Sequence, residues 1–254
     1  MKLIDTHAHL DEIPDLEGAL NRAQDAGIQA VVGVGTDRAS NEKILRAADR
    51  FPKFVLPAVG LHPWHLDGVE LEANIDFIEK ELPGCVALGE VGLDFAIQTP
   101  REIQEDILRR LLAVAVREKK PVLLHARRAC AEALKLLKSV PVERAVFHWY
   151  SGPLDVLQEV FARGYLISAT PAAAYSARHQ QALLAAPWSH LVLETDAPEM
   201  YEGKPSEPRD VLRSLQAVSE LKQQAPEEVA IRCYQNSVAF FHLSGTQEDL
   251  YAIR

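Results

Sequence analysis

Short apolar runs alternate along the chain with longer stretches in which apolar residues recur every three or four positions. The short runs are typical of β-strands, and the periodic stretches are typical of helices that bury one face. Strands are predicted over residues 3–7, 30–34, 54–60, 86–92, 122–125, 145–149, 165–169 and 191–195. Helices are predicted between them over residues 16–26, 41–50, 71–82, 102–118, 129–137, 154–163 and 177–185, and after them over 209–223 and 227–241.

This alternation of strand and helix predicts an α/β protein. The predicted strands are apolar on both faces, as in parallel sheets that are buried on each side. Eight strand–helix units match a (β/α)8 TIM barrel, and a doubly wound open sheet is the alternative. Because no linker separates the units, residues 1–254 are predicted to form a single domain.

Composition narrows the class of protein. The formal net charge of −9 argues against a broad basic surface that coats nucleic acid or an anionic membrane, although it does not exclude a phosphate substrate. The widely spaced Cys85, Cys130 and Cys233 indicate reduced thiols and neither a disulfide framework nor a thiolate zinc site. With no signal-like segment and no apolar run of membrane-spanning length, we expect a cytoplasmic protein without a membrane partner.

Ionisable residues gather where the predicted strands end. His7 and His9 are two apart on an extended chain, so their side chains point to the same side and can share one ion. Further candidates at or just beyond strand ends are His62, Glu90, His125, His148 and Asp196. Any one of them could be a hydrogen-bonded core residue or a turn cap, but purely structural residues have no reason to choose the same end of several strands. Because the carboxyl ends of barrel strands meet in one mouth, the sequence predicts a metal centre there.

The number of ligands points to more than one ion. Four histidines and two carboxylates exceed what a single tetrahedral ion needs. We therefore predict two divalent metal ions with Glu90 bridging them through its two oxygens. Imidazole and carboxylate ligands suit zinc, manganese or iron(II), and the carboxylate share also admits magnesium.

Six stretches together resemble the TatD family of metal-dependent hydrolases, within the amidohydrolase-like barrels. They cover residues 4–10, 60–63, 89–94, 121–127, 148–152 and 193–198, in order and over nearly the whole chain. The resemblance implies phosphodiester hydrolysis of DNA, often as an exonuclease. It also implies two metal shells joined by one carboxylate: His7, His9 and Asp196 on one side, His125 and His148 on the other, and Glu90 between them.

Two cations held about 3.5 to 4 Å apart would activate a water for attack on phosphorus. Asp196 is the candidate general base, with a ligand-only role as the alternative, and Glu90 is the second predicted catalytic residue. The resemblance also has a departure, because this chain carries Arg128 where the family tends to carry an acidic residue.

Three residues are predicted to bind substrate. The planar guanidinium of Arg127 can hold a phosphate through two hydrogen bonds. Ser151 is predicted to cap the helix that follows it, where free backbone N–H groups could face an anion. His62 is predicted to lie in a loop beside the site with Trp64, which would form an aromatic lid or a stacking platform for a base.

The predicted function is a deoxyribonuclease that acts on DNA ends. The alternatives are a small-molecule metallohydrolase acting on an amide, lactone or phosphoester, and a non-catalytic scaffold stabilised by metal. Glu90 occupies the bridge position where amidohydrolase relatives often carry a carboxylated lysine, which argues against an amide substrate. The complete ligand set argues against the scaffold, since a structural ion is closed off by four groups. No obligate protein partner is inferred.

Overall fold

Eight strands form one parallel sheet in the order of the sequence. The computed structural model describes residues 1–66 and 70–243, so the predicted domain end at residue 254 lies outside the described residues. Each strand pairs with its neighbours along the chain. The strands are β1 (Leu3–Ala8), β2 (Ile28–Val34), β3 (Val55–Val59), β4 (Ala87–Asp94), β5 (Val122–Arg127), β6 (Ala145–Phe147), β7 (Leu166–Ala169) and β8 (Leu191–Leu193).

Helices follow the strands and cover the outside of the sheet. They are α1 (Leu16–Asp25), α2 (Arg38–Arg50), α3 (Leu71–Glu81), α4 (Arg101–Arg117), α5 (Cys130–Ser139), α6 (Leu154–Ala162), α7 (Ala177–Ala185), α8 (Val211–Lys222) and α9 (Pro226–Phe241). A short hairpin of Met200–Tyr201 with Lys204–Pro205 lies between β8 and α8. Among the described residues, none of these helices has the length and apolar character needed to cross a bilayer.

The sheet closes because the segment after β8 runs beside β1. The backbone N–H of His9 donates to the carbonyl oxygen of Ala197 over 2.7 Å, and that of Asp196 donates to the carbonyl oxygen of His7 over 2.9 Å. The predicted (β/α)8 TIM barrel is therefore confirmed, and the doubly wound open sheet is wrong. Closure brings the first and last strands of the barrel, and the polar residues at their ends, into direct contact.

The strands are apolar on both faces because each face contacts a different core. One core fills the barrel and takes side chains from all eight strands, such as Ile4, Val32, Leu123 and Val192, together with Phe240 and Phe241 of α9. The other core lies between the strands and the surrounding helices. The three cysteines are buried and free, as predicted.

Strands β6 and β8 each end two residues earlier than predicted, and helix α2 starts three residues earlier. Strand β6 stops at Phe147 and β8 at Leu193. Soon after these ends the backbone turns left-handed, with φ of 42° at Trp149 and 56° at Asp196, which an extended strand cannot accommodate. Helix α2 begins at Arg38 because the side chain of Asp37 accepts a hydrogen bond from the backbone N–H of Ser40 over 2.7 Å. The early strand ends place His148 and Asp196 on turns at the barrel mouth.

Candidate metal centre

The end of strand β1 brings two imidazoles next to a carboxylate from the segment that follows β8. His7 is fully buried within β1, and His9 is the first residue after this strand. Their Nε2 atoms lie 3.5 Å and 3.3 Å from Oδ1 of Asp196, respectively. The same two nitrogens lie 3.3 Å and 3.5 Å from Oε2 of Glu90. The three ligand atoms of His7, His9 and Asp196 are close enough to hold one cation.

The second oxygen of Glu90 faces a different group of imidazoles. Oε1 of Glu90 lies 3.0 Å from Nδ1 of His125, 3.4 Å from Nε2 of His148 and 3.5 Å from Nε2 of His62. Glu90 itself is buried on β4. Its two oxygens thus point to two separate groups of nitrogen ligands.

The chemistry of these donors fits bound divalent cations. Nε2 of His7 and Oδ1 of Asp196 are buried atoms that have no hydrogen-bond partner among the described residues. Buried polar atoms are nearly always paired, so unpaired atoms that face one another indicate a missing partner. A set of imidazole nitrogens and carboxylate oxygens is what zinc or manganese prefers.

Burial and charge set the protonation of this centre without a metal. Burial alone would lower the pKa of His9, but the nearby carboxylates of Asp196 and Glu90 outweigh burial and raise the pKa to about 9. The pKa of His148 is likewise raised, to about 10, because the charge of Glu194 and other nearby carboxylates outweighs its burial. Burial lowers the pKa of His62 to about 4. A cation that binds neutral imidazole would therefore displace protons from His9 and His148 at neutral pH.

Glu194 is a part of the site that was not predicted from the sequence. It is buried, and its Oε1 lies 3.0 Å from Nδ1 of His148 and accepts a hydrogen bond from the backbone N–H of Trp149. This contact fixes the ring of His148 so that Nε2 points to Glu90. The signal was available, since Glu194 lies two residues before Asp196 in the stretch 193–198.

Asp94 was also not predicted. It lies at the end of β4, where its Oδ2 is 3.3 Å from Nε2 of His125 and accepts a hydrogen bond from Nε1 of Trp64 over 2.7 Å. Burial would raise the pKa of Asp94, but the hydrogen bonds from His125 and Trp64 outweigh it and hold the pKa below its usual value. Asp94 therefore ties the position of the exposed Trp64 ring to that of His125.

His62, predicted to bind substrate from a loop beside the site, is the N-cap of the short helix Pro63–His65 and is buried next to Glu90. Its Nδ1 accepts a hydrogen bond from the backbone N–H of Trp64, which leaves Nε2 directed to Glu90. Gly60 makes this approach possible, because a Cβ atom there would lie 2.4 Å from the carbonyl oxygen of Glu90. His62, Glu90 and His125 together form a second group that could hold a cation.

The predicted cap at Ser151 is wrong. Helix α6 begins at Leu154 with Pro153 at its N-cap, and no side chain caps it. Pro153 already has an extended backbone with φ of −64° and ψ of 144°, so Ser151 lies too far upstream to reach the first turn. Ser151 and Arg127 nevertheless both line a cavity of about 490 Å³ whose wall also includes His125 and Asp196.

Comparison with known proteins agrees with this fold. A family model described as TatD related DNase matches residues 4–242. Deoxyribonuclease TATDN3 of Homo sapiens is 30% identical over 260 residues, which cover 94% of this chain and 94% of the human protein. The uncharacterized metal-dependent hydrolase YjjV of Escherichia coli (strain K12) is 30% identical over 256 residues, covering 95% of this chain and 98% of that protein.

Solved structures of TatD proteins are also similar to this chain. The crystal structure of YjjV from Escherichia coli K12 matches with a TM-score of 0.88 and 29% identity, over 95% of this chain and 98% of that chain. A TatD family hydrolase from Entamoeba histolytica shares the fold with a TM-score of 0.84 at 18% identity, over 94% of this chain and 97% of that chain. The chain belongs to the family of TatD-related DNases.

Proposed function

We propose that this chain is a metal-dependent deoxyribonuclease that hydrolyses phosphodiester bonds at the ends of DNA strands. The observation that carries the proposal is Glu90, whose two carboxylate oxygens face two groups of imidazoles next to an open cavity. The human relative named deoxyribonuclease TATDN3 supports DNA as the substrate.

Two divalent cations are the proposed cofactors. His7, His9 and Asp196 would hold one, and His125 and His148 would hold the other, with Glu90 shared between them. The geometry adds His62 to the second group. Bound in this way, zinc, manganese or magnesium would supply charge that neutralises the phosphate and lowers the pKa of a water molecule.

Residues of the chain would orient the substrate and move the proton. Asp196 lines the cavity, and its Oδ1 has no hydrogen-bond partner among the described residues, so this atom can accept a proton from a water that attacks the phosphate. Arg127 is exposed at the end of β5, with its Nη1 3.8 Å from Oδ2 of Asp94. Its remaining N–H groups can donate to phosphate oxygens.

The proposed function is tested with purified chain reconstituted with each metal and end-labelled single-stranded DNA. We expect mononucleotides to accumulate from the start of the reaction, as an exonuclease requires. A panel with a lactone and a simple phosphomonoester serves as comparison. Turnover of either far above that of DNA would overturn the proposal in favour of a small-molecule hydrolase.

Replacement of His9 by alanine should halve the bound metal. The imidazole of His9 lies next to His7, Oδ1 of Asp196 and Oε2 of Glu90, so the His125 side should keep its ion. Metal content per chain, measured by elemental analysis after dialysis, checks this. The matched control is His190→Ala, at the other end of the barrel in the short helix Trp188–His190. Two ions bound unchanged in His9→Ala would contradict the assignment.

Trp64 should stack on a base of the substrate. Its side chain is 55% exposed at the cavity wall although its Nε1 is held by Asp94. Loss of base stacking in Trp64→Ala should raise KM for single-stranded DNA about tenfold. Trp64→Phe keeps an aromatic face and should raise KM by less. Equal KM increases in the two variants would show that the hydrogen bond to Asp94 matters and stacking does not.

A further inference from the structure

A second cleft continues from the cavity next to the metal centre. It has a volume of about 650 Å³ and shares Ala126, Arg127, Cys130 and Ser151 with the first cavity. Beyond these shared residues it is lined by two more arginines, Arg128 and Arg178, and by a single acidic residue, Glu132. In a chain with a net charge of −9, this cleft is a local concentration of positive charge.

Arg128 and Arg178 have no side-chain partner among the described residues, unlike several other arginines of the chain. Within residues 1–66 and 70–243, no hydrogen bond or ion pair joins either side chain to another residue, and both residues are exposed. By contrast, Arg22 pairs with Glu207 and Arg110 pairs with Glu72. The guanidinium groups of the cleft are therefore free to contact a ligand.

We propose that this cleft binds the phosphates of the nucleotides next to the one being cleaved, along a single DNA strand. The inference rests on the proposed function and extends it to the path of the substrate. Arginine donates to phosphate oxygens through two parallel hydrogen bonds, and a positively charged groove that follows the backbone is how proteins bind single strands. Arg127 lies in both cavities, so a strand could pass from the metal centre into the cleft without leaving the surface.

The volume of the cleft favours one strand over a duplex. A space of about 650 Å³ is in the range of pockets that enclose one small ligand. It can hold a nucleotide or two of a single strand, whereas a duplex would have to stay outside. A free phosphomonoester would occupy only the metal centre and would gain nothing from Arg128 and Arg178.

The test uses a double variant, Arg128→Gln with Arg178→Gln, and a control, Arg163→Gln, which changes an exposed arginine at the carboxyl end of α6. Binding of a fluorescent phosphorothioate single strand to the metal-loaded protein is followed by anisotropy at several salt concentrations. We expect Kd to rise about tenfold in the double variant only, and the slope of log Kd against log salt to fall by about 0.7 for each phosphate that the variant no longer binds. The ratio of turnover of DNA to that of bis(4-nitrophenyl) phosphate should fall by a similar factor, because the small diester has no neighbouring phosphates.

The outcomes separate this inference from the proposed function. If wild-type protein degrades DNA and the double variant binds the strand with unchanged Kd and salt slope, the cleft assignment is overturned while the nuclease assignment stands. If wild-type protein binds the strand through these arginines but does not hydrolyse it, the cleft is supported and the nuclease assignment fails. Circular dichroism spectra and the two single variants check that the fold is intact.

Discussion

Replacing Glu90 by glutamine should lower the rate of metal-dependent DNA hydrolysis by on the order of a thousandfold. Glutamine keeps the size of the side chain but removes its charge and turns one oxygen into an N–H donor. In the native protein the carboxylate is buried among five imidazoles, those of His7, His9, His62, His125 and His148. The amide can neither face both groups as an anion nor offset the charge of two cations. Both ions should therefore bind more weakly, and activity should fall with them.

Metal content and turnover are measured together in this variant. The same measurements on Glu194→Gln, for which we expect a smaller loss, serve as the comparison. Glu194 lies within hydrogen-bond distance of one imidazole of the centre, that of His148, so its loss should cost about ten- to a hundredfold in activity or metal affinity. Full activity of metal-free Glu90→Gln protein would remove the basis for metal-dependent catalysis by this chain. Equal losses in the two variants would show that Glu90 has no special position between two ions.

The barrel could be predicted because its signal is repeated along the chain. Each strand is apolar on both faces, and several strands are followed by an ionisable residue, so patterns in separate parts of the chain give the same answer. The meeting of His7, Glu90 and His125 could be predicted for the same reason. Parallel strands send their carboxyl ends to one rim, and residues far apart in sequence must meet there. Which strand ends lie next to one another at the mouth of the barrel follows from the order of the strands alone.

The contacts that support the ligands could not be predicted in this way. Glu194 contacts His148, which is 46 residues away in sequence, and Asp94 contacts Trp64, which is 30 residues away. No local sequence pattern indicates which carboxylate a given ring nitrogen will contact. His62 was predicted to lie in a substrate-binding loop because it follows a strand end. Its burial depends on the close approach of Gly60 to the backbone of β4, which is a tertiary contact. Ser151 does not cap α6, because the extended backbone at Pro153 leaves its side chain too far from the first turn of the helix.

Replacing Asp196 by asparagine should lower kcat by on the order of a hundred- to a thousandfold, even when metal is in excess. The substitution is conservative for the backbone, because Asp196 has a φ of 56° and asparagine tolerates this left-handed region well. The side chain keeps its size, so contacts of the neighbouring residues, such as the hydrogen bond from the backbone N–H of Asp196 to the carbonyl oxygen of His7, should persist. The variant lacks only an anionic oxygen that can hold a proton and a cation.

A titration with metal separates these two roles of Asp196. If the carboxylate is only a ligand, a high metal concentration will refill the His7–His9 side of the centre and restore kcat. If it also accepts the proton of the attacking water, kcat will stay low with the site filled, and this is the result we expect. Asp196 lines the cavity, and its buried Oδ1 has no hydrogen-bond partner among the described residues, so the carboxylate can take up this proton. Asp76→Asn, on the exposed face of α3, is the control and should leave kcat unchanged. Recovery of wild-type kcat by Asp196→Asn at saturating metal would assign the proton transfer to another group.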